Sequence, residues 1–171
     1  MLRGKVAKLT MESDIHKWIV ERLSVSLSNF NNMPACPFAK QALLDNKIKV
    51  VNIKDKTDFI NHMKAAINDW PTDVEVVVLG TDPSTITSIE LTEITEDANN
   101  TYLNEHGFLA LEDHPNEPEY AAGYHVNEGN WALILLQSKN KIVTARKILE
   151  KRGYYKNWDS EYYNQVVLDR S

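Results

Sequence analysis

Apolar positions along the 171-residue chain follow two rhythms. From Ser13, the residues Ile15, Trp18, Ile19, Leu23, Leu27 and Phe30 recur at steps of three and four, as one face of a helix does. The run Asn29-Phe30-Asn31-Asn32-Met33-Pro34 closes that helix with turn formers and a proline. Residues 1–11, which lack the pattern, read as a loose or strand-like lead-in. A short helix is expected from Pro37 to Asp45, and Ile48–Ile53 then alternates as a strand does. Asp55–Trp70 is a second amphipathic helix, carrying Phe59, Ile60, Met63, Ala66 and Ile67, and Pro71 stops it. The β-branched run Val74–Leu79 is short enough for a central strand.

Gly80-Thr81-Asp82-Pro83-Ser84 is the expected turn into a third helix, Thr85–Glu105, with Ser84 as its N-cap. That turn lacks the glycines of a phosphate-binding loop. His106-Gly107 ends the helix, and Phe108–Leu111 follows as a strand. A polar loop then leads to a strand at Trp131–Leu136 and a helix over Lys139–Lys151. The last two strands are joined by a loop rather than a helix, which suggests an antiparallel pair. The expected fold is α+β, a two-layer, ferredoxin-like sandwich. Its sheet is mixed, mainly antiparallel and four- to five-stranded, with helices on at least one face. No linker or repeat divides the chain, so residues 1–171 read as a single domain. Its core spans about 12–152, and the aromatic tail 153–171 (Tyr154, Tyr155, Trp158, Tyr162, Tyr163) packs on it.

Charge changes this picture in one respect. No lysine or arginine lies between Lys64 and Lys139, an interval that holds 14 of the 24 acidic residues. All 19 basic residues sit in the flanks. So acidic a centre argues against nucleic acid as a partner and reads as a solvated face. No apolar run approaches the roughly 18 residues of a membrane span, and no secretion signal opens the chain. A single cysteine excludes an internal disulfide and fits a reducing, cytoplasmic setting. The lysine-to-arginine ratio of 14 to 5, with abundant asparagine, fits an AT-rich genome such as that of a phage or a marine bacterium.

That cysteine, Cys36, stands in Met33-Pro34-Ala35-Cys36-Pro37-Phe38-Ala39-Lys40. Proline suits the first position of a helix, which puts the thiol at the N-cap. There the unpaired N–H groups and the helix dipole favour a thiolate, and Lys40 one turn on would add to that field. The competing expectation is a small apolar residue buried at a helix start. Locally the segment resembles the active-site helix of glutaredoxins. However, Ala39 stands at the resolving position, and no strand leads into the cysteine.

A second candidate is Glu112-Asp113-His114-Pro115-Asn116-Glu117-Pro118-Glu119-Tyr120, with His125 beyond it. It leaves the end of a strand, where sites commonly form. His114 could act as a base or hydrogen-bond donor. Asp113, His114, Glu119 and His125 offer donors for a divalent metal, although their spacing matches no standard metal motif.

Together these residues resemble an uncharacterised bacterial family of unknown function. Its hallmark is Cys-Pro-Phe-Ala-Lys, matched by Cys36 to Lys40. In that family a tryptophan helix with Glu-Arg precedes the hallmark, as Trp18 and Glu21-Arg22 do here. A later His-Pro and aromatic-Ala-Gly pair looks like His114-Pro115 and Tyr120-Ala121-Ala122-Gly123. Downstream, Asn127 and an aromatic at Trp131 are kept, while Glu128 replaces an arginine. The resemblance carries no activity with it.

The expectation is a site at Cys36 and His114, paired as nucleophile and base, with Lys40, Glu119, Asn127 and Trp131 binding a small molecule. No cofactor is implied. The alternatives are a non-enzymatic binding or accessory module, homodimeric through a sheet edge or the tail, and a metal-binding protein using the 112–125 loop.

Overall fold

The computed structural model describes residues 2–127 and 129–169, and side chains from Thr10 onward. The chain opens with helix α1 (Leu2–Trp18), which a π-helical turn extends through Ile19–Leu23. The expected loose lead-in at 1–11 is therefore helical over its described residues. Strands β1 (Ser26–Leu27) and β2 (Met33–Pro34) form a small antiparallel pair around a 3₁₀ turn at Ser28–Phe30. Asn31 and Asn32 adopt left-handed φ values of 55° and 62° in that turn, a conformation asparagine tolerates well.

Helix α2 (Ala39–Leu44) leads to β3 (Ile48–Asn52), α3 (Asp58–Asn68) and β4 (Val76–Thr81). Then come α4 (Ser88–Ala98), a π-helical turn at Asn99–Leu103 and a 3₁₀ turn at Asn104–His106. Strand β5 (Phe108–Asp113) precedes a small hairpin of β6 (Tyr120–Ala121) and β7 (Tyr124–His125). The chain continues as β8 (Ala132–Ser138), α5 (Lys139–Lys151) and α6 (Ser160–Tyr163), the last running into a π-helical turn at Asn164–Leu168.

The main sheet has the order β3-β4-β8-β5. β3 and β4 are parallel, while β8 runs antiparallel to both β4 and β5, so the sheet is mixed as expected. Its chain order, βαβαββα, differs from the βαββαβ order of a ferredoxin-like fold. It is also not a two-layer sandwich, because the apolar alternation of the strands feeds two cores. Val77, Leu79, Ala110, Ala132, Ile134 and Leu136 meet Phe59 and Met63 of α3 and Leu91 of α4. Val50, Val78 and Leu133 on the opposite face meet Met11 and Ile15 of α1. Strands buried on both faces read as continuous apolar runs, as Val76–Leu79 and Ala132–Leu136 do. Helices on both faces follow from that.

Gly80 sets the seat of α1. A β-carbon there would lie 2.5 Å from the Met11 sulfur and 2.9 Å from Cδ2 of Leu133. Instead of belonging to a turn, Gly80 and Thr81 complete β4, and the turn begins at Asp82. Asp82 accepts from both the N–H and the hydroxyl of Ser84, at 2.9 and 2.6 Å. Ser84 is thus used locally and does not cap the helix. The cap of α4 is Thr87, which forms a reciprocal capping box with Glu90. The carboxylate of Glu90 also pairs with Lys56 at 2.5 Å, and this contact is the main reason it titrates low, at about 2.

A third apolar cluster lies off the sheet. Phe30, fully buried, stacks on Tyr154 at 5.3 Å and meets Tyr124 and Trp158 edge-on. Tyr155 and Tyr162 join it, so the tail packs on the body. Among the described residues, no helix is long and apolar enough to cross a membrane.

Candidate functional site

Cys36 lies at the edge of that aromatic cluster. Its N–H donates to the Leu23 carbonyl at 2.9 Å, tying the segment to the end of the first helical stretch. Its carbonyl accepts from the Ala39 N–H at 3.3 Å. Helix α2 starts at Ala39, later than the expected Pro37, and is only six residues long. Burial pushes the Cys36 thiol up from its ordinary range, and the hydrogen bonds from the Ala39 and Phe38 N–H groups offset this only in part. The N–H groups anticipated for an N-cap thiol are present, but desolvation outweighs them. Lys40 is exposed and takes no part in the thiol's shift. Beside Cys36, the Tyr154 hydroxyl donates to the Ala35 carbonyl. Burial is also the main cause that raises Tyr155 to about 12.

His114 is buried at the far end of β5 with both ring nitrogens in use. Its Nδ1 accepts from the Asn116 N–H at 3.1 Å, which leaves Nε2 to donate to the Ile86 carbonyl at 2.9 Å. The expected Cys36–His114 pair is therefore not formed by hydrogen bonding. The imidazole is spent on backbone groups, and Cys36 is surrounded by residues of the first helical stretch and the tail.

Asn127, buried, is a bracket for the loop after β5. Its amide donates to the carbonyls of His114 (3.2 Å) and Glu117 (2.7 Å), and its oxygen accepts from the Glu119 N–H at 2.7 Å. These bonds engage both ends of the amide and leave it no evident part in binding a ligand. The Glu119 carboxylate accepts from the Tyr162 hydroxyl at 3.4 Å. Trp131 donates its indole N–H to Asp14 at 2.8 Å and packs against the α1 side of the sheet. Glu128 lies outside the described residues. Among the described residues, no three His, Cys, Asp or Glu side chains gather closely enough to hold a metal ion. Asp113, His114, Glu119 and His125 thus do not form the shared set that the metal-binding alternative requires.

What the structure does bring together is the first helical stretch and the β6–β7 hairpin. The Trp18 indole donates to the Val126 carbonyl at 3.0 Å. Arg22 donates to the His125 carbonyl at 2.9 Å and lies 4.8 Å over the Tyr124 ring. Asn29 reaches the Ala122 carbonyl at 2.8 Å. In that hairpin turn Ala122 and Gly123 have φ values of 49° and 77°, the left-handed pair a two-residue turn demands. The first helical stretch and the hairpin are thus joined by hydrogen bonds beside the aromatic cluster.

The open space lies at the opposite end of the sheet, where β3 and β4 begin and β8 ends. A cleft of about 520 Å³ is lined there by Lys47, Trp70, Glu75, Phe108, Ser138 and Lys141, among others. Trp70 and Phe108 form one wall, their ring centres 4.8 Å apart and tilted by 34°. The Trp70 indole N–H is held by the Val74 carbonyl at 2.8 Å, which fixes the ring. The cleft is also lined by an ion cluster, in which Oε1 of Glu75 receives two ammonium groups, Lys47 at 3.1 Å and Lys141 at 3.6 Å. The Glu75 hydrogen bond raises Lys47 above its ordinary value. None of these residues stood out in the sequence. Their chemistry is ordinary and their positions run from 47 to 141, so only the sheet order assembles them.

No family model matches the chain, and neither a curated protein nor a solved structure matches it.

Proposed function

We propose that this protein is a non-enzymatic binding module that takes a small organic molecule in the Trp70–Phe108 cleft. The carrying observation is the cleft itself. Its volume falls in the range of small-molecule sites, and its lining combines a fixed aromatic wall with an ion cluster. Such a lining fits a ligand with a flat apolar body and a polar or ionised end. The raised Cys36 thiol and the backbone-locked His114 weigh against a thiol-dependent enzyme. An acidic centre disfavours nucleic acid, and a lone thiol suits a reducing cytoplasm. A homodimer through the β3 edge is disfavoured by the exposed Lys49 within that strand, which a second copy would meet with like charge.

The test follows the Trp70 indole N–H resonance while indole, indole-3-acetate and tryptamine are titrated in turn. A saturable shift with a dissociation constant of about 1 mM or tighter is expected for at least one probe. If indole-3-acetate is the ligand, Lys141→Ala should weaken it about tenfold and leave indole unchanged. If none of the three moves Trp70 saturably, the cleft is not the binding site.

A further inference from the structure

Six polar residues are buried among the described ones, and four of them (Thr81, Asp113, His114 and Asn127) lie in or just beyond the sheet end opposite the cleft. Asp113 differs from His114 and Asn127. It is the last residue of β5, 6% exposed and paired across the sheet with Leu133, and its Oδ1 has no hydrogen-bond partner. Around it the 114–127 loop is held by bonds to neutral backbone groups. They include the Asn127 bracket, the Glu117 N–H on the His114 carbonyl (3.0 Å) and the Val126 N–H on the Glu119 carbonyl (3.0 Å). The loop is tied to the first helical stretch through Trp18 and Arg22.

We propose that Asp113 is a proton-operated latch: its neutral carboxyl keeps the 114–127 loop closed on the sheet, and its ionisation releases the loop to water. A neutral carboxyl tolerates this corner, whereas a carboxylate buried with an oxygen unpartnered does not. The charged and titratable groups acting on it are His114 beside it, His125 from the hairpin and Glu112 on its own strand. On the first helical stretch, Arg22 is engaged by the His125 carbonyl and the Tyr124 ring, and Asp14 by the Trp131 indole. Burial is the largest influence and lifts the Asp113 carboxyl to about 6, while Asn127 and the two histidines pull it down less.

The sign follows from linkage. The closed corner holds its proton more tightly than the open one, so closure is favoured at low pH and is lost as pH rises through about 6. A value of about 6 in the closed corner, against the ordinary 3.8 in the open one, makes opening about a hundredfold more frequent above about pH 7 than below about pH 4.

The Trp18 indole N–H, bound to the Val126 carbonyl, reports the latch directly. The experiment follows Asp113 by carboxyl-carbon NMR between about pH 4.5 and 7.5. In the same samples, exchange of the Trp18 indole proton is corrected for its intrinsic pH dependence. Expected is a common midpoint near 6, abolished in Asp113→Asn and moved upward in His125→Asn, which removes a neighbour that pulls Asp113 down. The latch is overturned if Asp113 titrates while Trp18 protection stays constant, or if Asp113→Asn keeps the same midpoint. Should Asp113→Asn fail to fold, the two wild-type curves decide alone, because their failure to coincide refutes the proposal.

Discussion

At the scale of single residues, the sequence showed that a proline-flanked thiol would meet backbone N–H groups, and it does. It could not show desolvation, because the groups that bury Cys36 come from both ends of the chain. Tyr154 is 118 positions away and Leu23 belongs to the first helical stretch. The same holds for His114, whose partner Ile86 lies in the turn after β4. A chemically suggestive residue type is legible from sequence, but its remaining hydrogen-bonding capacity is not. The thiol therefore carries its own prediction. A free thiol has a pKa of about 8.5, and one raised above that is mostly protonated at pH near 8. Iodoacetamide should alkylate Cys36 at least about tenfold more slowly than a cysteine in an unstructured peptide. Equal rates would mean that the thiol is neither buried nor raised. Cys36→Ala removes one small half-buried group and should cost on the order of 1 kcal/mol in urea unfolding.

Among the elements, those with strong periodicity were readable. The α3 face, β4, β8 and α5 fall close to where the apolar spacing places them. Two failures have physical causes. The first residues of α1 carry no apolar stripe, so periodicity is silent where the chain is nonetheless helical. The expected long helix through Glu105 is α-helical only from Ser88 to Ala98 and then widens into a π turn at Asn99. At that widening the Asn99 side chain turns to β5, a long-range contact that local pattern does not encode. Gly80 is a further case, since a glycine before Thr-Asp-Pro reads as a turn while its real role is to let α1 approach the sheet. Gly80→Ala should overpack the Met11–Leu133 contact and destabilise the fold by about 1–3 kcal/mol. Because the methyl meets the flexible Met11 thioether, pairing it with Met11→Ala should show a coupling energy in a double-mutant cycle. Simple additivity would mean that α1 is not seated through Gly80.

For the whole molecule, the four-stranded sheet has two edges at which a second copy could pair. The β3 edge is short and carries Lys49 outward. The β5 edge is closed by a side chain. Asn99, buried, accepts from the Ala110 N–H at 2.8 Å and donates to the Ala110 carbonyl at 3.0 Å. One amide thus supplies both bonds that a fifth strand would make at this position. Asn99→Ala leaves a buried donor and acceptor unpaired, which should cost about 1–3 kcal/mol for each group left unsatisfied. It also exposes a strand flanked by Leu109 and Leu111 to edge-to-edge pairing. Sedimentation velocity should then show concentration-dependent association for Asn99→Ala and a constant coefficient for the wild type. Asn99→Asp separates the two effects, because its carboxylate can still accept from the Ala110 N–H but cannot donate to the carbonyl. It should lose stability as the alanine variant does, while its charge keeps a second copy away. If Asn99→Ala stays monomeric at every concentration despite lost stability, the amide holds α4 to the sheet without guarding the edge.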